Sequence, residues 1–375
     1  MSVTCITPPR RILVRGVNWL GDAVMTTPAL LRLREKFPGA HITLLTPEKL
    51  SDLWRNHPAV NEAILFAPGE NVFSIGKKLR AGKFDLALVL PNSPRSAIEV
   101  YLAGIPWRLG YARPWRNFFL TQPVASRANA MKMRKRSPGE IQELVTGHSK
   151  FKKQNSKPAP GAHQIHEYLH LTAALGADPE PLAPRLHMVP DEIADAKKKF
   201  GLGNITGPVL GLNAGAEYGL AKRWPAERFI AAARKVRQQT NCVLLIFGGP
   251  GDHSIAAQIH SATGNGQSAI NLAGRTSLRE LMSLLKLCRV LLTNDTGPMH
   301  VAAALGTPVV VPFGSTSPEL TGPGLPGDAR HRLLKSDAPC SPCFLRECPI
   351  DFRCMNGIGV DRVVEAVMAL IHREA

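Results

Sequence analysis

The chain has no apolar run long enough to cross a membrane. Its longest, near Val301 to Phe313, is interrupted by Gly, Thr and Pro. It falls short of the roughly 18 residues a span needs. Met1 to Arg11 carries Thr, Pro and Arg rather than an apolar stretch, so no secretory signal is expected and a cytoplasmic protein is the default. Seven cysteines, an odd number without such a signal, argue against a disulfide scaffold. Acidic residues are scarce: 29 Asp+Glu stand against 46 Lys+Arg, for a formal charge of +17. That excess points to a polyanionic partner, whether nucleic acid, an anionic membrane surface or a phosphorylated substrate. A dinucleotide fingerprint is also missing. Gly16 and Gly21 do not fit GxGxxG, and no acidic residue directly follows the second expected strand, which disfavours a nicotinamide dehydrogenase.

What is present is a repeated alternation of strands and helices. At 375 residues and 44% apolar, the chain is long enough for two domains, each with its own core. The stretch Arg289 to Gly314 shows the pattern best. Val290-Leu291-Leu292 reads as a buried parallel strand. Thr293 to Pro298 is helix-start chemistry, His300 to Leu305 a short helix, Gly306 its stop, and Pro308 to Val311 the returning strand. Ligands of open α/β sheets sit at such strand ends, where helix N-termini attract phosphate.

The same grammar runs along the chain. Arg11–Arg15 reads as a strand, Gly16–Asp22 as a loop, Ala23–Lys36 as a helix and His41–Leu45 as a strand. Phe84–Pro91 is another buried strand, followed by a helix over Ser96–Ala103 and a strand near Pro106–Tyr111. Arg127 to Lys157 differs. It is rich in Arg127, Lys132, Arg134, Lys135, Arg136, Lys150, Lys152, Lys153 and Lys157, and is expected to be a mobile basic loop. Either it is a solvated insertion or it clamps an anionic acceptor. Helices follow over His166–Leu175 and Asp191–Phe200. From Pro208 a second series begins, with strands Val209–Leu212, Cys242–Phe247, Arg289–Thr293 and Val309–Phe313. Helices are expected near Ala226–Gln239, Ser254–Ala262, Leu278–Leu287 and Val360–Arg373. Two doubly wound domains facing a central cleft are therefore expected: 1–185 with the basic loop at about 125–160, and 186–358. A final helix in 359–375 can pack back on the first domain.

Several side chains could carry chemistry, each with two readings. Asp22, at a strand-to-helix turn, could deprotonate a hydroxyl or cap the helix start. Small residues from Gly215 let backbone approach a ligand, and Lys222 could neutralise a leaving phosphate or be a solvated loop charge. Asp252, in a glycine-rich strand end, could bind a ribose hydroxyl or cap the next helix. His300 could face a ligand or be buried against its turn. Cys340, Cys343, Cys348 and Cys354 form C-x2-C-x4-C-x5-C, which suits zinc, an iron–sulfur cluster or buried redox thiols. Cys5, Cys242 and Cys288 look isolated, the latter two in cores.

Taken together, RGVNWLGDAVMTTPAL at 15–30, GAEYGLAKRWPAERF at 215–229, NDTGPMHVAAALGTPVVVPFG at 294–314 and CSPCFLRECPIDFRCM at 340–355 resemble the ADP-heptose:lipopolysaccharide heptosyltransferases of glycosyltransferase family 9, most closely the heptosyltransferase II type. The resemblance implies a GT-B fold of two Rossmann-like domains. It implies inverting, metal-independent transfer of heptose from ADP-heptose to the lipopolysaccharide inner core, with no cofactor. Asp22 would be the general base and Lys222 the diphosphate ligand. Asp295, Thr296 and Gly297 would bind sugar hydroxyls and phosphate. Gly215, Asp252 and His300 complete the donor candidates. Arg95, Arg113 and Arg116 are candidates for the phosphates of a lipid A–Kdo acceptor at the inner face of the inner membrane. No DxD motif is present for a divalent ion. Three other readings remain: another GT-B transferase or epimerase using a different nucleotide sugar, a nucleic-acid-binding protein using the basic tract, and a regulatory Cys-metal protein. The tract lacks interleaved aromatics, and no nucleic acid is expected.

Overall fold

The structure is a computed structural model describing residues 8–128, 130–147, 158–203, 205–264 and 268–373. The chain divides into two compact units, one of residues 1–130 and 161–187, the other of 131–160 and 188–375.

Unit 1 begins with β1 (Arg11–Arg15), α1 (Leu20–Met25), α2 (Thr27–Lys36), β2 (His41–Pro47) and β3 (Glu62–Phe66). It continues with α3 (Val72–Arg80), β4 (Leu86–Val89), α4 (Pro94–Leu102), β5 (Trp107–Tyr111) and β6 (Gln122–Val124). The chain then leaves for α5 (Pro138–Thr146) in the second unit and returns with α6 (Ile165–Ala173). Unit 2 holds α7 (Pro190–Lys199), β7 (Val209–Asn213), α8 (Ala226–Thr240), β8 (Val243–Phe247), α9 (His253–Thr263) and β9 (Ala269–Asn271). After these come α10 (Leu278–Leu287), β10 (Val290–Thr293), α11 (Gly297–Ala304), β11 (Val309–Phe313), α12 (Pro318–Thr321), β12 (Arg332–Lys335), α13 (Arg353–Asn356) and α14 (Val360–Ile371).

Each unit is one parallel six-stranded sheet. The orders are β3-β2-β1-β4-β5-β6 and β12-β11-β10-β7-β8-β9. These are one doubly wound order used twice, so the expected pair of Rossmann-like domains is present. In each sheet the order reverses between two central strands, β1 and β4 or β7 and β10. Connections there leave to opposite sides and open a crevice at the strand carboxyl ends. The central strands are buried because helices cover both faces: β4, β7, β10 and β11 are buried at every residue. The edge strand β3, with burial at Phe66 alone, lacks that signature.

Two expectations need correction. The helix expected over 23–36 is two helices, since Thr26 ends α1 and α2 restarts with Pro28 in its first turn. The basic tract is not simply a loop. Ser137 and Glu140 form a capping box that starts α5, and Ile141 packs with Cys340 and Cys343 in unit 2. Its Lys150, Lys152, Lys153 and Lys157, like Cys5, lie outside the described residues. Within unit 2, α14 packs on α8. Val363, Val367 and Leu370 join the core built from β7, β8 and α8, because α14 is apolar along one face.

Candidate functional site

In unit 1, β1 leads directly into the loop that presents Asp22. Arg15, the last residue of β1, is buried and pairs with the buried Glu99 at 2.8 Å. Its guanidinium also donates to Gly16 O at 2.6 Å and Asn18 Oδ1 at 2.8 Å, which fixes the loop's course. Asp22 then falls in the first turn of α1, half-buried, beside the β1–β4 reversal. Gln164 Nε2 donates to Asp22 Oδ1 at 3.2 Å and to the Tyr168 hydroxyl at 2.9 Å. Tyr168 is buried, and burial followed by the charge of Asp22 holds its phenol protonated far above the usual range. Asp22 is thus an oriented carboxylate, a geometry suited to accepting a proton.

In unit 2, the loops after β7, β10 and β11 converge. Lys222 Nζ lies 2.7 Å from Asp295 Oδ2, and Thr316 Oγ1 donates to the same oxygen at 2.6 Å. Asp295 is buried and Lys222 nearly so, with its ammonium 4.7 Å from the Tyr218 ring centroid. Asn294 stitches two strand ends together. Its Oδ1 accepts from Trp224 N at 3.0 Å, and its Nδ2 donates to Ala214 O at 2.7 Å. Trp224 is fully buried, so the segment bearing Lys222 is anchored one residue beyond Arg223. Asn213 Nδ2 donates to Thr293 Oγ1 at 3.1 Å and Thr296 Oγ1 at 3.2 Å. Thr296 precedes α11 without a side-chain cap on the helix, so the first backbone N–H groups, from Gly297 on, have no capping side chain.

The remaining candidates are placed as follows. A Cβ at Gly215 would meet the carboxylate of Asp252, which would have to shift to admit it. That carboxylate accepts from Gly249 N at 3.0 Å and pairs with Arg223 at 3.3 Å, so both oxygens already have protein donors. His300 is buried within α11. Arg95 pairs with Glu99 at 3.1 Å and bonds Glu70 O. Arg113 donates to Ala112 O at 2.8 Å and Ser126 Oγ at 2.6 Å. Arg116 is fully buried.

The four-cysteine loop lies against this site. Cys343 N and Phe344 N both donate to Ser315 O, at 3.1 and 2.7 Å, and Ser341 Oγ donates to Gly314 O at 2.7 Å. On its other side, the Tyr218 hydroxyl donates to Phe344 O at 2.9 Å and Ala221 N to Arg346 O at 2.9 Å. Gly219 adopts φ +152, and a Cβ there would strike Arg346 O. The loop therefore clamps both the Lys222 segment and the end of β11. Burial raises the thiols of Cys340 and Cys343, and burial with the three neighbouring thiols pushes Cys354 up to about 12. Among the described residues, no group of three or more His, Cys, Asp or Glu side chains could hold a metal ion. Cys242 and Cys288 are core thiols.

Sequence reasoning missed Thr316, Ser315, Tyr218 and Gln164. Ser315 Oγ is buried without a partner, as is Arg223 Nε. The run Gly314-Ser315-Thr316-Ser317 straight after an apolar strand was a usable signal for the first two. Nothing local marks Gln164, which reaches Asp22 from 142 positions away.

A model of glycosyltransferase family 9 (heptosyltransferase) matches residues 139–352. Lipopolysaccharide heptosyltransferase 2 of Escherichia coli K12 is 32% identical over 351 residues, 88% of this chain and 91% of that protein. Lipooligosaccharide heptosyltransferase 2 of Haemophilus influenzae is 32% identical over 83% of this chain and 85% of its own. The structure of the E. coli ADP-heptose lipopolysaccharide heptosyltransferase II superposes with a TM-score of 0.75 at 28% identity, covering 96% of this chain and 98% of that one.

Proposed function

The chain belongs to glycosyltransferase family 9, and on that footing we propose that it transfers heptose from ADP-heptose to the inner core of lipopolysaccharide, with inversion and without a metal ion. The observation that carries the donor half is the Lys222–Asp295–Thr316 cluster beside the uncapped start of α11. It sets one ammonium and a positive helix end at a strand-order reversal, where a diphosphate is attracted.

The chemistry divides between the two units. Asp22 takes the proton of the acceptor hydroxyl as that oxygen bonds to the anomeric carbon. The bond from that carbon to the diphosphate oxygen breaks, and its electron pair remains on the β-phosphate of ADP. Lys222 and the α11 start stabilise that charge as it develops. One such preorganised contact contributes about 3 kcal/mol to the transition state. Asp295 holds Lys222 in place, so the ammonium needs no reorganisation when the charge appears.

Arg95, Arg113 and Arg116 are proposed for the anionic groups of a lipid A–Kdo acceptor. The net charge of +17 supports work at an anionic membrane surface. Among the described residues, no helix is long and apolar enough to cross a membrane.

The test is direct. The purified chain is incubated with a heptosyl-Kdo2-lipid A acceptor and either ADP-heptose or a UDP-sugar. Heptose addition from the ADP donor alone is expected. Transfer from the UDP donor alone would overturn the reading.

A further inference from the structure

Trp19 stands where a capping side chain is expected. It is the N-cap of α1, a position that favours Ser, Thr, Asp or Asn, and its side chain makes no capping hydrogen bond. The residue is 49% exposed, although tryptophan is buried in most folds. Asp22 is the third residue of the same helix. Side chains at the N-cap and at that third position meet across the first turn, as they do in a capping box. The indole and the Asp22 carboxylate therefore share one face of α1.

The loop carrying the indole is tied down on both sides. Arg15 holds Gly16 O and Asn18 Oδ1. Gly16 N donates to Leu45 O at 2.9 Å, and a Cβ on Gly16 would lie 3.1 Å from that oxygen. The Trp19 carbonyl accepts from Ala23 N at 2.9 Å. The exposed ring is thus a fixed feature of the fold, not a frayed end. Beyond β2 the chain enters the turn of helix Glu48–Trp54, and there Lys49 Nζ lies 5.2 Å from the Trp19 ring centroid. β1 and β2 are parallel neighbours, so Trp19 and Lys49 leave the same carboxyl edge of the sheet. Arg113 and Arg116 follow β5, two strands away from β1 on its other side.

An exposed indole beside a proton acceptor has a definite use. The C–H face of a pyranose ring is apolar and stacks on a flat aromatic surface, while its hydroxyls project from the rim. Tryptophan supplies that area at low entropic cost, since only two torsions are fixed. A sugar laid on Trp19 brings a rim hydroxyl to Asp22. Lys49, on its flexible stem, reaches an anionic substituent of the same sugar.

We propose that Trp19 and Lys49 form a binding site for an anionic pyranose, with the indole as stacking platform and the lysine as the contact for a carboxylate or phosphate on the sugar. Identifying that sugar with the acceptor rests on the glycosyl-transfer reading. The platform holds the substrate and moves no proton.

The test uses the full chain and a deacylated heptosyl-Kdo2 saccharide, with no donor present. Binding is measured by calorimetry for the wild type, Trp19→Phe, Trp19→Ala and Lys49→Ala. Tryptophan emission is followed in the same titrations. The chain has five tryptophans, so an emission change that disappears in Trp19→Phe while binding persists comes from position 19. Trp19→Ala is expected to weaken binding about tenfold or more, and Trp19→Phe to recover most of it. Lys49→Ala is expected to weaken binding about threefold and to flatten its salt dependence. ADP affinity and the unfolding midpoint are expected to stay unchanged in all three variants. A wild type that does not bind the saccharide, or a Trp19→Ala variant that binds it as the wild type does, overturns the site. Equal losses in Trp19→Phe and Trp19→Ala with a lowered unfolding midpoint would make the residue structural and overturn it as well. An unaltered Lys49→Ala overturns the anion contact. Heptose transfer is assayed separately: saccharide binding without transfer would sink the transfer reading and leave the platform standing.

Discussion

Lys222 and Asp295 form an ion pair of 2.7 Å, with the carboxylate buried and its bonded oxygen shared with Thr316. A lysine held this way is aimed before any ligand arrives. Its partner comes from the loop after β10, so the pair ties together two strands that flank the reversal in the sheet. The resemblance gives Asp295, with Thr296 and Gly297, to sugar hydroxyls and phosphate. The geometry adds that the same carboxylate holds Lys222 in place.

Lys222→Ala should therefore fail in two ways. Turnover should fall about a hundredfold, as expected for loss of one preorganised contact of roughly 3 kcal/mol. Asp295 would be left buried and unpaired, so the unfolding midpoint should fall as well. Steady-state kinetics and denaturant melts check both. Full activity with normal ADP binding would refute the phosphate role.

Tyr218→Phe tests the clamp from the cysteine loop. It removes the hydrogen bond to Phe344 O but keeps the ring beneath the Lys222 ammonium. The expected result is a donor KM raised severalfold with a smaller change in turnover, since the lysine is loosened rather than lost. An unaltered donor KM would show that the loop does not support the site.

Much of this was legible in advance, and the reason is physical. The central strands bury both faces, so they read as short apolar runs that stop at glycine, threonine or asparagine. The β10–α11–β11 unit was read nearly residue for residue on that basis. Edge strands lack the signal: β3 buries only Phe66 and went unrecognised. α5 was hidden because its buried Ile141 and Leu144 stand close behind a run of lysine and arginine. The Asp22 and Lys222 candidates could be named from strand-end position. What positions them could not, because Gln164 and Thr316 come from distant loops brought near only by folding.

Gln164→Leu should move the pH dependence of turnover. The Gln164 amide donates to Asp22 Oδ1 and so favours the charged carboxylate. Without it, deprotonating Asp22 is harder, and the acidic limb of the profile should shift to higher pH. A fall in activity with no shift would point to a merely structural glutamine.

Two buried histidines set a pH window for stability. Burial lowers both His57 and His331 to about 4, from an ordinary 6.5. Both are neutral in the folded chain. As pH falls from 6.5 towards 4, the unfolded chain binds protons that the folded chain refuses, so stability is lost over that range and is whole above it. Each histidine accounts for a loss on the order of 3 kcal/mol. Denaturant unfolding at pH 7.5 and pH 5 should show the drop, and His57→Leu should show a smaller one. Equal drops in the two proteins would contradict the assignment.

EDTA should leave transfer intact, because Lys222 and the start of α11 answer the leaving-group charge. Activity that vanishes on chelation and returns with magnesium would assign that charge to a metal ion instead.

The decisive measurement is the turnover of Asp22→Asn beside its affinity for ADP-heptose. Asparagine keeps the size of the side chain but cannot take the acceptor's proton. Turnover should fall by about 10² to 10⁴ while donor affinity stays within twofold of the wild type. Turnover that matches the wild type would remove Asp22 as the base and the proposed chemistry with it.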